Sequence, residues 1–155
     1  MKKSKLLIAL LVLTSLFFIF TGCGEKEETT ALSCSITVTA ADILENRERM
    51  DENTLAFVPD NGIIFSETVS FSQGDDLFAV VTRALKDKKL QFDSQGGSYF
   101  TAFGNIYATE SGGWLYRVNG VEPEVGANKY VLSDGDAAEF FYICDYNAYF
   151  AEIYG

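Results

Sequence analysis

Gly113-Trp114-Leu115-Tyr116-Arg117-Val118-Asn119-Gly120, followed after a short interval by Leu132-Ser133-Asp134-Gly135-Asp136-Ala137-Ala138-Glu139-Phe140, is the stretch from which the fold can be read. Trp114, Tyr116 and Val118 alternate with Leu115 and Arg117, which places three large apolar side chains on one face of a strand. Asn119-Gly120 is a strong short turn signal, because both residues tolerate the positive φ that a tight hairpin demands. Ser133-Asp134-Gly135-Asp136 is a second turn, and Ala137 to Cys144 reads as the strand that follows it. Tyr130 to Leu132 is a short extended piece between the two.

Outward from this unit, the clearest helix precedes it. Leu77, Phe78, Val81, Ala84 and Leu85 recur at helical spacing, predicting a helix over about 75–89. Gly74-Asp75-Asp76 supplies carboxylates at its positive end, and Lys86, Lys88 and Lys89 supply cations at its negative end. Leu90 to Asp93, Tyr99 to Phe103 and Asn105 to Thr109 read as extended segments, with a Ser94-Gln95-Gly96-Gly97-Ser98 loop among them. Ser33 to Ala40 alternates Cys34, Ile36 and Val38 with Ser35, Thr37 and Thr39, the pattern of a half-buried strand. Asp42 to Met50 has room for one or two helical turns. Ile63 to Phe65 and Thr68 to Phe71 read as two short extended pieces after the turn at Val58-Pro59-Asp60-Asn61-Gly62. Strands before and after one main helix predict an α+β fold: a β-grasp-like mixed sheet with the helix on one face.

The amino-terminal residues belong to a different class. Lys2, Lys3 and Lys5 precede an apolar run from Leu6 to Phe20, too short for a membrane span of about 20 residues and suited to a signal peptide. The run ends in Phe20-Thr21-Gly22-Cys23, which resembles the lipobox of bacterial lipoproteins, although leucine is the usual residue where Phe20 stands. An ordinary signal peptide with an incidental cysteine and an uncleaved anchor helix are the other readings of these residues. The resemblance implies a signal peptide at 1–22, acylation of Cys23, a polar tether at 23–32 and a domain at 33–155. It also implies a lipid-anchored location on the extracellular face of the cell membrane, with the lipid bilayer as partner through Cys23. Loss of the three leader lysines takes the net charge from −10 to −13.

The quoted segments, read as G-W-x-Y-x-V-N-G, V-G-x-x-x-Y over Val125–Tyr130 and L-x-D-G-D-x-x-E, resemble the bacterial family of transcobalamin-C-terminal-like domains. That family is named for the smaller β-rich domain of the cobalamin carriers. Gly74-Asp75-Asp76-Leu77 is similar to the family's helix start. The resemblance implies a small-ligand-binding or surface-display module and not an enzyme, with cobalamin as a bound ligand and no other cofactor. In the carriers this domain closes over one face of the corrinoid, and a larger helical domain supplies the rest of the pocket. An adhesion or interaction module that contacts another surface protein or a glycan is the alternative.

Composition narrows the chemistry independently. The chain has no histidine, which excludes Ser-His-Asp and Cys-His nucleophilic sets and imidazole metal ligands. With 22 acidic against 12 basic residues it lacks the cationic surface that nucleic acid requires. No loop carries the spaced oxygen set of a calcium site. Asp75, Asp76, Asp134 and Asp136 read as caps and turn residues, and Glu122 and Glu124 as solvated. All eight tyrosines lie at or beyond Tyr99, interleaved with Ser, Gly and Asn, a composition common in adaptable recognition surfaces. Tyr99, Phe100, Trp114, Tyr116 and Tyr130 are the candidate ligand contacts, with core packing as the competing role. Cys34 and Cys144 pair as a disulfide or stay as two thiols. A β-grasp runs its first and last strands parallel, which would set the two far apart.

Overall fold

The computed structural model describes residues 31–155, which form one compact unit. The leader at 1–22, Cys23 and most of the tether lie outside the described residues. Strand β1 (Leu32–Thr39) is followed by a short helix α1 (Ala41–Glu45), a 3-10 turn (Arg47–Arg49) and a one-turn helix α2 (Glu52–Leu55). Strand β2 (Ile63–Phe71), helix α3 (Leu77–Asp87), strands β3 (Phe92–Gln95), β4 (Tyr99–Phe103), β5 (Ile106–Tyr107) and β6 (Gly113–Val118), strand β7 (Ala137–Ile143) and helix α4 (Tyr146–Tyr154) complete the chain.

The main sheet has the order β2-β1-β7-β6, with β1 and β7 parallel at its centre and the outer pairs antiparallel. This is the β-grasp arrangement. Strands β3, β4 and β5 make a second, small antiparallel sheet. One face of the main sheet carries Cys34, Ile36, Val38, Phe65, Trp114, Val118, Ala138, Phe140 and Tyr142, and these pack with Leu77, Val81 and Leu85 of α3 in one core. The alternation in β1 follows directly, since Ser35 and Thr37 must then face outward.

Three local differences have physical reasons. β2 is a single edge strand where two pieces are expected, because its backbone pairs with β1 from Phe71 to Ile63, through the polar middle. Thr37 Oγ1 lies 3.3 Å from Ser66 Oγ, and Lys88 donates to Glu67 at 2.7 Å. The stretch at Tyr130 to Leu132 forms no strand and contributes only a bridge between Val131 and Asp76. Helix α4 is absent from the sequence reading. Its start is set by Asp145, whose carboxylate accepts from the backbone N–H of Asn147 (2.9 Å) and Ala148 (3.0 Å).

Helix α4 lies against the outer face of the sheet at the β6–β7 side. Tyr149 packs against Phe141 at 6.0 Å between ring centroids, its hydroxyl donates to the Glu122 carboxylate, and Arg49 bridges Asp145 at 2.7 Å. Glu122 stays exposed, as its place in the loop predicts, and its carboxylate also receives the Tyr149 hydroxyl.

Candidate functional site

The motif residues build turns. Asn119 (φ 53°) and Gly120 (φ 80°) take the left-handed conformation that the hairpin needs. The Asn119 side chain then donates to Asp136 Oδ1 at 2.8 Å and accepts from the Ala137 N–H at 2.9 Å. Asp136, only 6% exposed, also accepts from the Ser133 N–H at 2.9 Å, while Asp134 caps the start of β1 through the Ser33 N–H at 2.8 Å. Asp76 caps α3 through the Ala79 N–H at 2.8 Å. Each carboxylate that the sequence assigns to a cap or turn at these positions has that task, and the D-G-D element ties the β6–β7 connection to the first strand.

The five ring candidates separate into two groups. Trp114 and Phe100, each 2% exposed, belong to the core. Trp114 lies edge-on to Phe103 (4.8 Å) and Tyr142 (5.2 Å) and donates its indole N–H to the Ile106 carbonyl at 3.1 Å. Phe100 stacks on Phe78 (4.9 Å) and Phe103 (4.7 Å) and meets Phe140 edge-on at 5.1 Å. The reason for this correction is period two in the strands: the face that carries Trp114 is the one α3 and β4 cover. Tyr99 is half-buried, and its hydroxyl meets that of Tyr146 at 3.0 Å above Gly113. A Cβ at Gly113 would run into the Tyr146 hydroxyl and approach Ala108 Cβ to 2.9 Å, so this glycine admits the two phenols.

Tyr116 and Tyr130 are the candidates that the fold brings together at a surface. Tyr116 stacks on Phe140 (5.6 Å), and its hydroxyl donates to the Val125 carbonyl at 2.6 Å, which pins the loop after β6. Burial pushes the Tyr116 phenol up to about 12, and the neighbouring Tyr130 phenol adds to the effect. Burial, then the Asp136 carboxylate beside it, raises Tyr130 as well. Around this half-buried pair the same connections expose Val121 (68%), Val125 (47%) and Val131 (59%). Val125 is tied to Tyr116 through its carbonyl, Val131 follows Tyr130 in the chain, and Val121 bridges Val118 at the hairpin, so exposed valines stand in the connections that carry both phenols. Sequence reasoning does not find the valines, since a loop residue carries no periodicity to report its exposure.

Cys34 and Cys144 are both free and buried. Cys34 sits beside Asp136 in the parallel β1–β7 register, and Cys144 lies eight residues farther along the chain, just past the end of β7. That is about 26 Å of strand, against the roughly 7 Å that a disulfide tolerates between Cα atoms. Burial first and then Asp136 raise the Cys34 thiol from 9.0 to about 11. Burial first and then Asp42 raise Cys144 to about 12. Native protein is therefore expected to leave both thiols unreactive toward a thiol reagent at pH 8 and to release both on unfolding. The folded pKa values lie above the unfolded ones, so this contribution is complete below pH 9 and is lost as pH rises through 11. Thermal midpoints measured across that range should fall; a midpoint unchanged through pH 11 would contradict the burial of the thiols.

The sheet order and the motif turns give this domain a transcobalamin-like fold. Residues 74–143 match a family described as a domain of unknown function (DUF4430). Among solved structures, haptocorrin in complex with Cbi superposes with a TM-score of 0.52 at 17% identity, over 73% of this chain and 25% of that one. The chain thus spans about a quarter of the length of that relative, and the likeness is one of fold. A candidate metal-binding protein from Ruminococcus gnavus gives a TM-score of 0.42 at 15% identity, over 72% of this chain and 95% of that one. No curated protein matches the sequence.

Proposed function

We propose that this chain is a lipoprotein, anchored through acylated Cys23 on the extracellular face of the cell membrane, whose domain binds a small ligand at the Tyr116–Tyr130 face. Cobalamin is the ligand to test first. The observation that carries the reading is the exposure of Val121, Val125 and Val131 in the connections that hold two half-buried phenols, apolar side chains with hydrogen-bonding neighbours outside the core. The transcobalamin-like fold supports the choice of ligand. The face is open, which suits a site completed by a second surface closing over the ligand. With no histidine in the chain, a corrinoid would be held here by side-chain packing and hydrogen bonds and not by imidazole on cobalt. On this reading the protein is a binding protein and not an enzyme.

The anchor fits the same picture. Eight residues lie between Cys23 and the start of β1 at Leu32, a reach of at most about 32 Å, so the domain would work close to the bilayer. More than one acyl chain on Cys23 would make the attachment stable.

Equilibrium dialysis of the membrane-extracted protein, and of residues 31–155, against cobalamin is the test. Retention at micromolar ligand is expected, and Tyr130→Ala together with Val121→Asp should lower affinity about tenfold or more. Absence of retention for both preparations would reject the corrinoid and favour the surface-interaction module. Intact mass of the extracted protein should show a chain beginning at a modified Cys23.

A further inference from the structure

A second surface, separate from the Tyr116–Tyr130 face, is built on the outer side of the main sheet. The alternation that buries Cys34, Ile36 and Val38 turns Ser35 and Thr37 outward, and the parallel register sets them beside Ala137 and Glu139 of β7. Arg117 of β6 stands opposite Glu139. Helix α4 covers the neighbouring part of this face through Tyr149 on Phe141 and leaves these residues uncovered. The result is a cleft of about 410 Å³, within the range of small-molecule sites. Ser35, Thr37 and Ala137 have short side chains and form a low floor. Arg117 and Glu139 form a wall, and Gly120 of the hairpin turn marks the rim.

The wall is held in place before any ligand arrives. Arg117 Nε donates to Glu139 Oε2 at 2.7 Å, and the guanidinium lies over the Phe141 ring at 4.9 Å. Among the described residues, neither Nη of Arg117 and not Oε1 of Glu139 has a hydrogen-bond partner, and the Ser35 hydroxyl has none. Fixed donors and fixed acceptors thus stand side by side over a floor of hydroxyl groups. Donor and acceptor on adjacent centres match vicinal hydroxyls, each of which gives one hydrogen bond and accepts others. Preorganisation lowers the ordering cost of such contacts.

Charge decides between ligand classes. Arg117 and Glu139, the charged residues of the lining, neutralise each other, and Glu122 near Arg117 adds negative charge, so the cleft offers no excess cation to an anionic ligand. The whole chain is strongly acidic, at −10, which disfavours sulfated, phosphorylated or uronic-acid chains. We infer that this cleft binds a neutral carbohydrate, with the Arg117–Glu139 pair hydrogen-bonding adjacent ring hydroxyls above Ser35 and Thr37. The site is independent of the corrinoid reading and shares none of its side chains.

Amide NMR spectra of residues 31–155, which contain the whole described core, test the inference. The probes are short neutral cello-, malto-, manno- and chito-oligosaccharides at millimolar concentration, with an oligogalacturonate as the charged comparison. At least one neutral probe should shift the amides of Ser35, Thr37, Arg117, Gly120, Ala137 and Glu139 saturably. Arg117→Gln should weaken that probe about tenfold, as should Ala137→Tyr, which fills the cleft from an exposed position. Thermal midpoints of both variants should match the parent, and if Ala137→Tyr unfolds, Arg117→Gln decides. The inference is overturned if no neutral probe shifts these amides, if the shifts lie elsewhere or survive both substitutions, or if the galacturonate binds more tightly than every neutral probe.

Discussion

Trp114→Ala is expected to remove about 3–5 kcal/mol of stability, the cost of deleting a large buried aromatic from a packed core. The indole is 2% exposed, stands edge-on to Phe103 and Tyr142, and satisfies the Ile106 carbonyl. Truncation leaves both a cavity and a buried acceptor without its donor. Against a total stability of about 5–15 kcal/mol for an ordinary domain, the variant should be unfolded or close to it at moderate temperature. Trp114→Phe keeps much of the packing and loses only the N–H, so it should fall between. Urea titration followed by circular dichroism measures both. A loss below about 1 kcal/mol for the alanine variant would mean that the ring is not a core element, and would restore it as a ligand contact.

The second large effect falls on Asp136. Its carboxylate is 6% exposed and joins Asn119 Nδ2 at 2.8 Å to the Ser133 N–H at 2.9 Å. Asp136→Ala leaves two donors without partners, at a cost of about 3 kcal/mol. It also loosens the turn whose Gly135 N–H reaches the Ser33 carbonyl at 2.7 Å. Asn119→Ala should cost less, and the double variant should cost clearly less than the two single effects added, because the pair shares one interaction. Additive effects in a chemical denaturation cycle would contradict the clip between the two motif turns.

These two residues also show how far the sequence could be read. The Asn119-Gly120 and Asp134-Gly135-Asp136 signals and the α3 stripe depend on local chemistry, and the structure places a turn, a turn and a helix there. The β-grasp order follows from those elements and from the alternation in β1. What composition does not distinguish is a ring inside from a ring outside. Trp114 and Tyr116 share one face of β6, yet the first is enclosed by β4 and the second ends at the Val125 carbonyl near the rim. Only the packing of another element over the strand separates them. Helix α4 eluded sequence reading for a related reason: Tyr146, Phe150 and Tyr154 recur every four residues, but they sit in a tyrosine-rich tail whose composition suggests a recognition surface. The valines at 121, 125 and 131 gave no periodic signal. Their exposure depends on the connections that Tyr116 and Asp76 hold against the sheet.

The cysteines illustrate the complementary case, in which topology decides what counting leaves open. Two cysteines in one domain leave a disulfide open, but parallel central strands put one at the start of β1 and the other past the end of β7. Their burial makes them part of the core.

Trp114 and Phe100 belong to the core, and the proposed ligand site is the loop face around Tyr116 and Tyr130. Amide NMR spectra of residues 31–155 titrated with cobalamin test this most directly. The account predicts saturable shifts at Val121, Val125, Tyr130 and Val131, with the Phe100 and Trp114 signals unmoved. Shifts centred on Trp114 and Phe100, or no shift anywhere at saturating ligand, would contradict it.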